Sequence, residues 1–284
     1  MSARGRFVSC LATAVVALSG FVTVGALPAA GGAGRVVEYV ALGDSYAAGW
    51  GGGEPYFNGD CKQSAQGYPA LLDAQERIDL VANATCKGAK TSDVINTQLS
   101  ALKPDTRLVT LTVGGNDLDV SGLANLCLTE PANCIAEINL RLTTRLPKLG
   151  PALIELYATV AAQAPDARIV VTGYPHLFEP APGSPNADII DAINKATDQL
   201  NATIKEAVTV TQNADVNIRY VDVVPEFAGH GLVIPFNPNA FINPPGHEAA
   251  FHPNAAGYRA YADAIFDALP GGWLDKTSRI AASP

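Results

Sequence analysis

Positive charge is scarce in this chain of 284 residues: 19 Lys and Arg stand against 27 Asp and Glu, a formal net charge of -8. No Lys/Arg cluster interrupts that balance, so the chain repels nucleic-acid phosphates and anionic lipid surfaces, and nucleic acid is excluded as a partner. Charge of either sign is low, at 16%, where a soluble domain carries about 25%. Hydrophobic residues make up 48%, which excludes a disordered chain and implies a sizeable core. Methionine occurs once, at position 1. No Gly-x-Ser-x-Gly elbow occurs, which disfavours the α/β-hydrolase fold. Paired Cys at the two-to-four-residue spacing typical of zinc sites are also missing. His247 and His252 lie five apart, about 140° around a helix, and follow Pro244-Pro245-Gly246, so they do not form a zinc-protease helix. No metal and no cofactor are expected.

What is present begins with the short basic stretch Met1-Ser2-Ala3-Arg4-Gly5-Arg6, an uncharged apolar run over residues 7–27, and then Pro28-Ala29-Ala30-Gly31-Gly32. This is the plan of a secretory signal peptide. The run is long enough to be a retained membrane anchor instead, but small residues and Pro28 follow it without a basic stop-transfer cluster. The expected organisation is a signal peptide over residues 1–33 and one domain over residues 34–284. No later run could span a bilayer, so no stable membrane insertion is expected after cleavage, and a secreted monomer, extracellular or in the cell envelope, is. Cys10 leaves with the signal. The remaining Cys61, Cys86, Cys127 and Cys134 form an even set, which in an exported protein reads as disulfides. Of the three connectivities, Cys61–Cys86 with Cys127–Cys134 closes the shortest loops and is preferred.

Apolar, β-branched runs at residues 35–42, 79–82, 107–113, 168–172 and 216–223 read as strands. Helical patterns at 68–77, 91–102, 135–164 (broken near Pro147 and Pro151), 188–209 and 254–269 alternate with them. That alternation implies an α/β fold with parallel strands and right-handed crossovers. Ligands of such sheets bind beyond the carboxyl ends of the strands. The first strand runs into Gly43-Asp44-Ser45-Tyr46 and the third into Gly114-Gly115-Asn116-Asp117. The second precedes Cys86-Lys87-Gly88-Ala89-Lys90, and Phe251-His252-Pro253-Asn254 stands before the last helix. Ser, Gly, Asn and His therefore converge on one sheet edge. Acyl transfer needs such a set: a hydroxyl activated by an imidazole base, and N–H donors for the oxyanion.

These four blocks, GDSY, the Gly88 segment CKGAKTSDV, GGND and FHPN, resemble in order the sequence blocks of the SGNH, or GDSL, hydrolase superfamily, and the chain is similar to its secreted actinobacterial esterases and lipases. The resemblance implies a three-layer α/β/α sandwich with a five-stranded parallel sheet, flavodoxin-like, and cofactor-free ester hydrolysis. By position it implies Ser45 as nucleophile, His252 as base, and an oxyanion hole of Ser45 N–H, Gly88 N–H and the Asn116 amide. Many members carry Asp three residues before the His, where this chain has Ala249. The imidazole must then be oriented by a main-chain carbonyl of residues 249–251, Ala250 among them, or by Glu248. Acyl esters of lipids are the expected substrates, with carbohydrate or cell-wall acetyl esters as the alternative and a non-catalytic binding protein as a further one. Trp50, Tyr56, Phe57 and Phe251 are candidates to line an acyl groove.

Overall fold

The computed structural model describes residues 36–75, 77–233 and 237–270; the expected signal peptide, residues 1–33, lies outside the described residues. Five strands form one parallel sheet: β1 (Val37–Gly43), β2 (Ile78–Asn83), β3 (Leu108–Thr112), β4 (Arg168–Thr172) and β5 (Ile218–Val221). Their order is β2-β1-β3-β4-β5. The chain therefore winds in one direction from β1 to β2 and in the other from β3 onward, which opens a crevice between the carboxyl ends of β1 and β3.

Helices among the described residues include α1 (Ser45–Ala48), α2 (Tyr68–Asp73), α3 (Val120–Thr129), α4 (Pro131–Thr144), α5 (Leu146–Gln163), α6 (Ala187–Gln212) and α7 (Ala255–Ala268). Alternation along β1 feeds two cores. Tyr39 and Ala41 face α2 and α7 through Tyr68, Leu72, Tyr258 and Tyr261. Val40 and Leu42 face α5 and α6 through Leu153, Tyr157, Ile204 and Val208. Three of the buried tyrosines find hydroxyl partners on or just beyond the strands: Tyr39 meets Thr110 at 2.6 Å, Tyr68 meets Thr112 at 2.9 Å, and Tyr261 donates to the Gly173 carbonyl at 2.8 Å.

Three helical expectations change. Residues 91–102 do not form one helix; an α turn (Thr91–Asp93), a π turn (Val94–Gln98) and a 3-10 turn (Leu99–Ala101) replace it. The irregular winding puts the Gln98 amide against Gly43, accepting from its N–H at 2.7 Å and donating to its carbonyl at 2.9 Å. Pro151 does not break α5, because it lies close to the helix start and the hydrogen bond it forgoes is the one to the carbonyl of residue 147. Helix α3 is additional to the expected elements. Its entry residue Asp119 has φ +56° and gives no side-chain cap, and its Leu123 and Leu128 line a cavity.

Gly43 fixes the end of β1. Its φ is +127°, and a Cβ there would lie 2.2 Å from the Thr112 carbonyl oxygen. Gly43→Ala should cost at least about 3 kcal/mol, since strained backbone and a backbone clash act together; urea unfolding would measure it, and an unchanged midpoint would refute the constraint.

Candidate functional site

The turn that follows Gly43 delivers Ser45 to the first position of α1, directly beyond β1. Asp44 caps the turn, accepting from the Tyr46 N–H at 2.9 Å through one carboxylate oxygen and from the Tyr174 hydroxyl at 2.6 Å through the other. Tyr174 also accepts from the Gly115 N–H at 3.0 Å, so this one phenol ties the Asp44 turn to the Gly114-Gly115 turn. Burial pushes the Asp44 carboxyl up to about 7, against the pull of the hydrogen bonds from Tyr174 and Tyr46. Ser45 heads a helix, where backbone N–H groups have no intrahelical acceptor.

His252 arrives 207 residues later, and its Nε2 lies 2.8 Å from Ser45 Oγ. Its Nδ1 lies 3.1 Å from the Ala250 carbonyl oxygen. Glu248, the other candidate to orient the ring, lies on the cavity wall, and among the described residues no hydrogen bond joins it to His252. The carbonyl reaches Nδ1 because Phe251 takes a left-handed conformation, φ +66°. Three contacts hold that unfavourable backbone. Tyr46 hydroxyl donates to the Phe251 carbonyl at 2.6 Å, Phe251 N–H donates to the Asn243 carbonyl at 2.9 Å, and Asn243 N–H donates to the His252 carbonyl at 2.8 Å. The Asn243 side chain reaches further, donating to Gly51 O at 3.0 Å and approaching His252 O and Pro253 O at 3.2 and 3.3 Å. Burial lowers the His252 imidazole to about 4; the Ala250 carbonyl opposes this and the nearby Lys87 charge reinforces it.

The Gly88 and Asn116 loops are clamped to each other. Asn116 donates one amide hydrogen to the Ala89 carbonyl at 3.0 Å and keeps the second free of that bond. Asp117 accepts from the Thr91 hydroxyl at 2.7 Å and from its N–H at 3.1 Å. Gly88 has φ +84°, and its N–H makes no hydrogen bond among the described residues. The disulfide Cys61–Cys86 anchors this loop from the other side, and Cys127–Cys134 joins α3 to α4.

Ser45, Asn116, His252 and Lys87, the neighbour of Gly88, line a cavity of about 460 Å³. Its far wall is apolar, built by α3, α4 and α6 with residues such as Leu123, Leu142 and Ile193. Of the aromatic residues suggested for an acyl groove, Trp50 and Phe251 line it. Tyr56 packs on Trp50 at 4.9 Å without being part of the cavity wall, and Phe57 is 53% exposed. His176 and His230 are engaged elsewhere, with Asp198 and the Asn239 carbonyl. Gln98, Tyr174 and Asn243 escaped sequence reasoning. Gln98 and Tyr174 act through contacts 55 to 130 positions away, Asn243 joins the nearby His252 loop to Gly51, 192 positions away, and no local motif marks any of the three.

The profile of the GDSL-like Lipase/Acylhydrolase family matches residues 41–260. A lipase of Streptomyces rimosus is 35% identical over 204 residues, 70% of this chain and 74% of that protein. The crystal structure of phospholipase A1 from Streptomyces albidoflavus superposes with a TM-score of 0.72 at 34% identity, covering 82% of this chain and 99% of that one. An extracellular lipase structure from Streptomyces rimosus gives a TM-score of 0.73 at 31% identity over 82% of this chain and all of its own.

Asn243→Ala would strip the donor that three carbonyls share. A loss of about 1–3 kcal/mol in urea unfolding is expected for leaving such buried acceptors short; a change within error would show that Asn243 does not fasten the His252 loop to the Gly51 loop.

Proposed function

Because the chain belongs to the GDSL-like lipase/acylhydrolase family and is thereby a carboxylic ester hydrolase, we propose that it is an exported lipid esterase in which Ser45 is the nucleophile and His252 the base. The observation that carries this reading is the 2.8 Å contact between Ser45 Oγ and His252 Nε2 at the wall of an apolar cavity. Two disulfides, the absence among the described residues of a helix able to cross a membrane, and the extracellular lipase among its relatives support export after removal of residues 1–33. The names lipase and phospholipase A1 borne by its relatives, and the apolar wall, favour long acyl chains over acetyl groups.

In the resting site the neutral imidazole carries its proton on Nδ1, donated to the Ala250 carbonyl, and Nε2 accepts from Ser45. As Oγ bonds to the ester carbonyl carbon, its proton passes to Nε2. The carbonyl oxygen becomes an oxyanion held by the N–H groups of Ser45 and Gly88 and by the Asn116 amide. Collapse breaks the bond to the alcohol oxygen, which takes the proton from Nε2. Water, deprotonated by the same nitrogen, then releases the acid and regenerates Ser45. A carbonyl orients the ring but carries no full charge to balance an imidazolium, so the oxyanion donors bear more of the transition-state stabilisation.

A fluorophosphonate probe should label the wild type and not Ser45→Ala; failure to label folded wild type would end the hydrolase assignment of Ser45. Asn116→Ala should lower kcat about 100- to 1,000-fold, while Glu248→Ala should leave kcat within about threefold if the carbonyl orients the ring. Rates on p-nitrophenyl esters should rise from acetate to octanoate, and a maximum at acetate would favour a carbohydrate deacetylase instead.

The pH dependence follows from His252. Its base form persists down to its pKa of about 4, below the usual 6.5. The acid limb of kcat/KM set by His252 should therefore fall near pH 4; because the buried Asp44 carboxyl is pushed up to about 7, a limb near 6.5 that persists in Asp44→Asn would show an imidazole no different from one in water.

A further inference from the structure

The sheet order divides the site into two poles on either side of Ser45. Beyond β3 and β4 lies the apolar wall, with Leu118, Leu123 and Leu177. Beyond β2, on the opposite side, lies the loop that follows Cys86. The Cys61–Cys86 bridge brings two Cα atoms to 4.1 Å, so the residues that follow them, Lys62 and Lys87, leave the bridge from adjacent points. Lys87 N–H fixes this arrangement by donating to the Cys61 carbonyl at 3.0 Å. The two ammonium groups lie 5.5 Å (Lys62) and 4.7 Å (Lys87) from the centre of the Trp50 ring, and Lys62 also lies 5.8 Å from that of Tyr56. Ring contact steadies an ammonium without consuming its N–H donors.

Neither lysine forms an ion pair among the described residues, although the chain is acidic. The cation at the apolar pole, Arg141, is by contrast paired with Glu137 and Asp119. Of the carboxylates on the cavity wall, Asp44 is occupied by Tyr174; Glu248 also lines the wall and its charge reaches Tyr56, but it forms no ion pair with either lysine among the described residues. Lys87 and Trp50 line the same cavity as Ser45 and His252. Two unpaired cations at the pole opposite the acyl wall suit an anion on the alcohol side of the ester.

We propose that Lys87 and Lys62, steadied on Trp50, form a subsite for a phosphate carried by the alcohol part of the substrate, and so select glycerophospholipids over neutral glycerides. This rests on Ser45 as the nucleophile. With the acyl chain along the apolar wall, the departing glycerol oxygen faces the β2 side, and its phosphate meets the ammonium groups. Water splits the bond between acyl carbon and glycerol oxygen, giving fatty acid and lysophospholipid, and the phosphate ester bonds stay intact. Net negative charge acts against adsorption to anionic surfaces at long range; the subsite acts at contact, on a single lipid molecule.

The test uses monomeric lipids, so that surface binding plays no part. Dihexanoylphosphatidic acid and dihexanoylglycerol, both below their critical micelle concentrations at pH 7.5, are compared by kcat/KM. The wild type should favour the phosphorylated lipid. Lys87→Met should lower the ratio of the two about tenfold, Lys62→Met less, and the double variant most, with Lys87→Arg close to wild type. Raising salt from about 20 mM to about 500 mM should lower the ratio for the wild type and leave the double variant unmoved. A double variant with the wild-type ratio, or a wild type that prefers the neutral glyceride, would overturn the proposal, and the salt series decides it even if a variant fails to fold. Loss of p-nitrophenyl ester hydrolysis in the wild type would strike the assignment of Ser45, and is thereby told apart.

Discussion

The contact between Ser45 Oγ and His252 Nε2 joins residues 207 positions apart across 2.8 Å, and a drift of about 1 Å in either would weaken it severely. Both ends are therefore tied to rigid parts. Ser45 hangs from β1 through Gly43, whose two backbone polar groups are met by the Gln98 amide and whose lack of a Cβ admits the Thr112 carbonyl. His252 hangs from a loop with strained backbone at Phe251, held by Tyr46 and Asn243. Tyr46 follows Ser45 directly, so the Ser45 turn itself helps to hold the His loop in place.

Electrostatics at this contact are set more by burial than by partners. A carboxylate at position 249 would favour the imidazolium; Ala249 is buried and offers none. A carbonyl can fix the tautomer, yet its dipole does little to offset desolvation, so the imidazole stays neutral far into the acid range. A weaker base has less driving force to take the serine proton. The Asp44–Tyr174 pair shows the same economy. The carboxyl group is buried, held by two donors at the cavity wall, and locks two turns together.

Legibility in the sequence followed locality. Strand runs, glycine turns and the four short blocks are written within a few residues each, because positive φ at Gly43, Gly88 and Gly114 demands glycine on the spot. The alternation of strand and helix placed these blocks at one sheet edge without coordinates. The 91–102 segment misled because its apolar spacing fits a helix, while the Gln98 contact that breaks the winding lies 55 residues away. Helix α3 was missed for a related reason. Its apolar residues face a cavity, Leu128 is 52% exposed, and Gly122 and an uncapped start dilute the periodic signal. Asn243, in a segment rich in Pro and Gly, reads as a loop residue, and only the fold shows it beside Gly51.

The two poles of the site follow from the winding of the sheet. In the order β2-β1-β3-β4-β5, the strand that carries the serine has β2 on one side and β3 on the other. The β2 side receives a short loop pinned by a disulfide, where polar backbone and two lysines gather. The β3 and β4 side receives long crossovers, and their helices bring apolar surface. An ester is itself divided at its carbonyl into acyl and alcohol halves, so the proposed nucleophile at the switch point meets both with different chemistry. Changes in α3 and α4 would therefore act on the acyl half and changes of the Lys62 and Lys87 side chains on the alcohol half, because neither group belongs to the turns that hold Ser45 and His252.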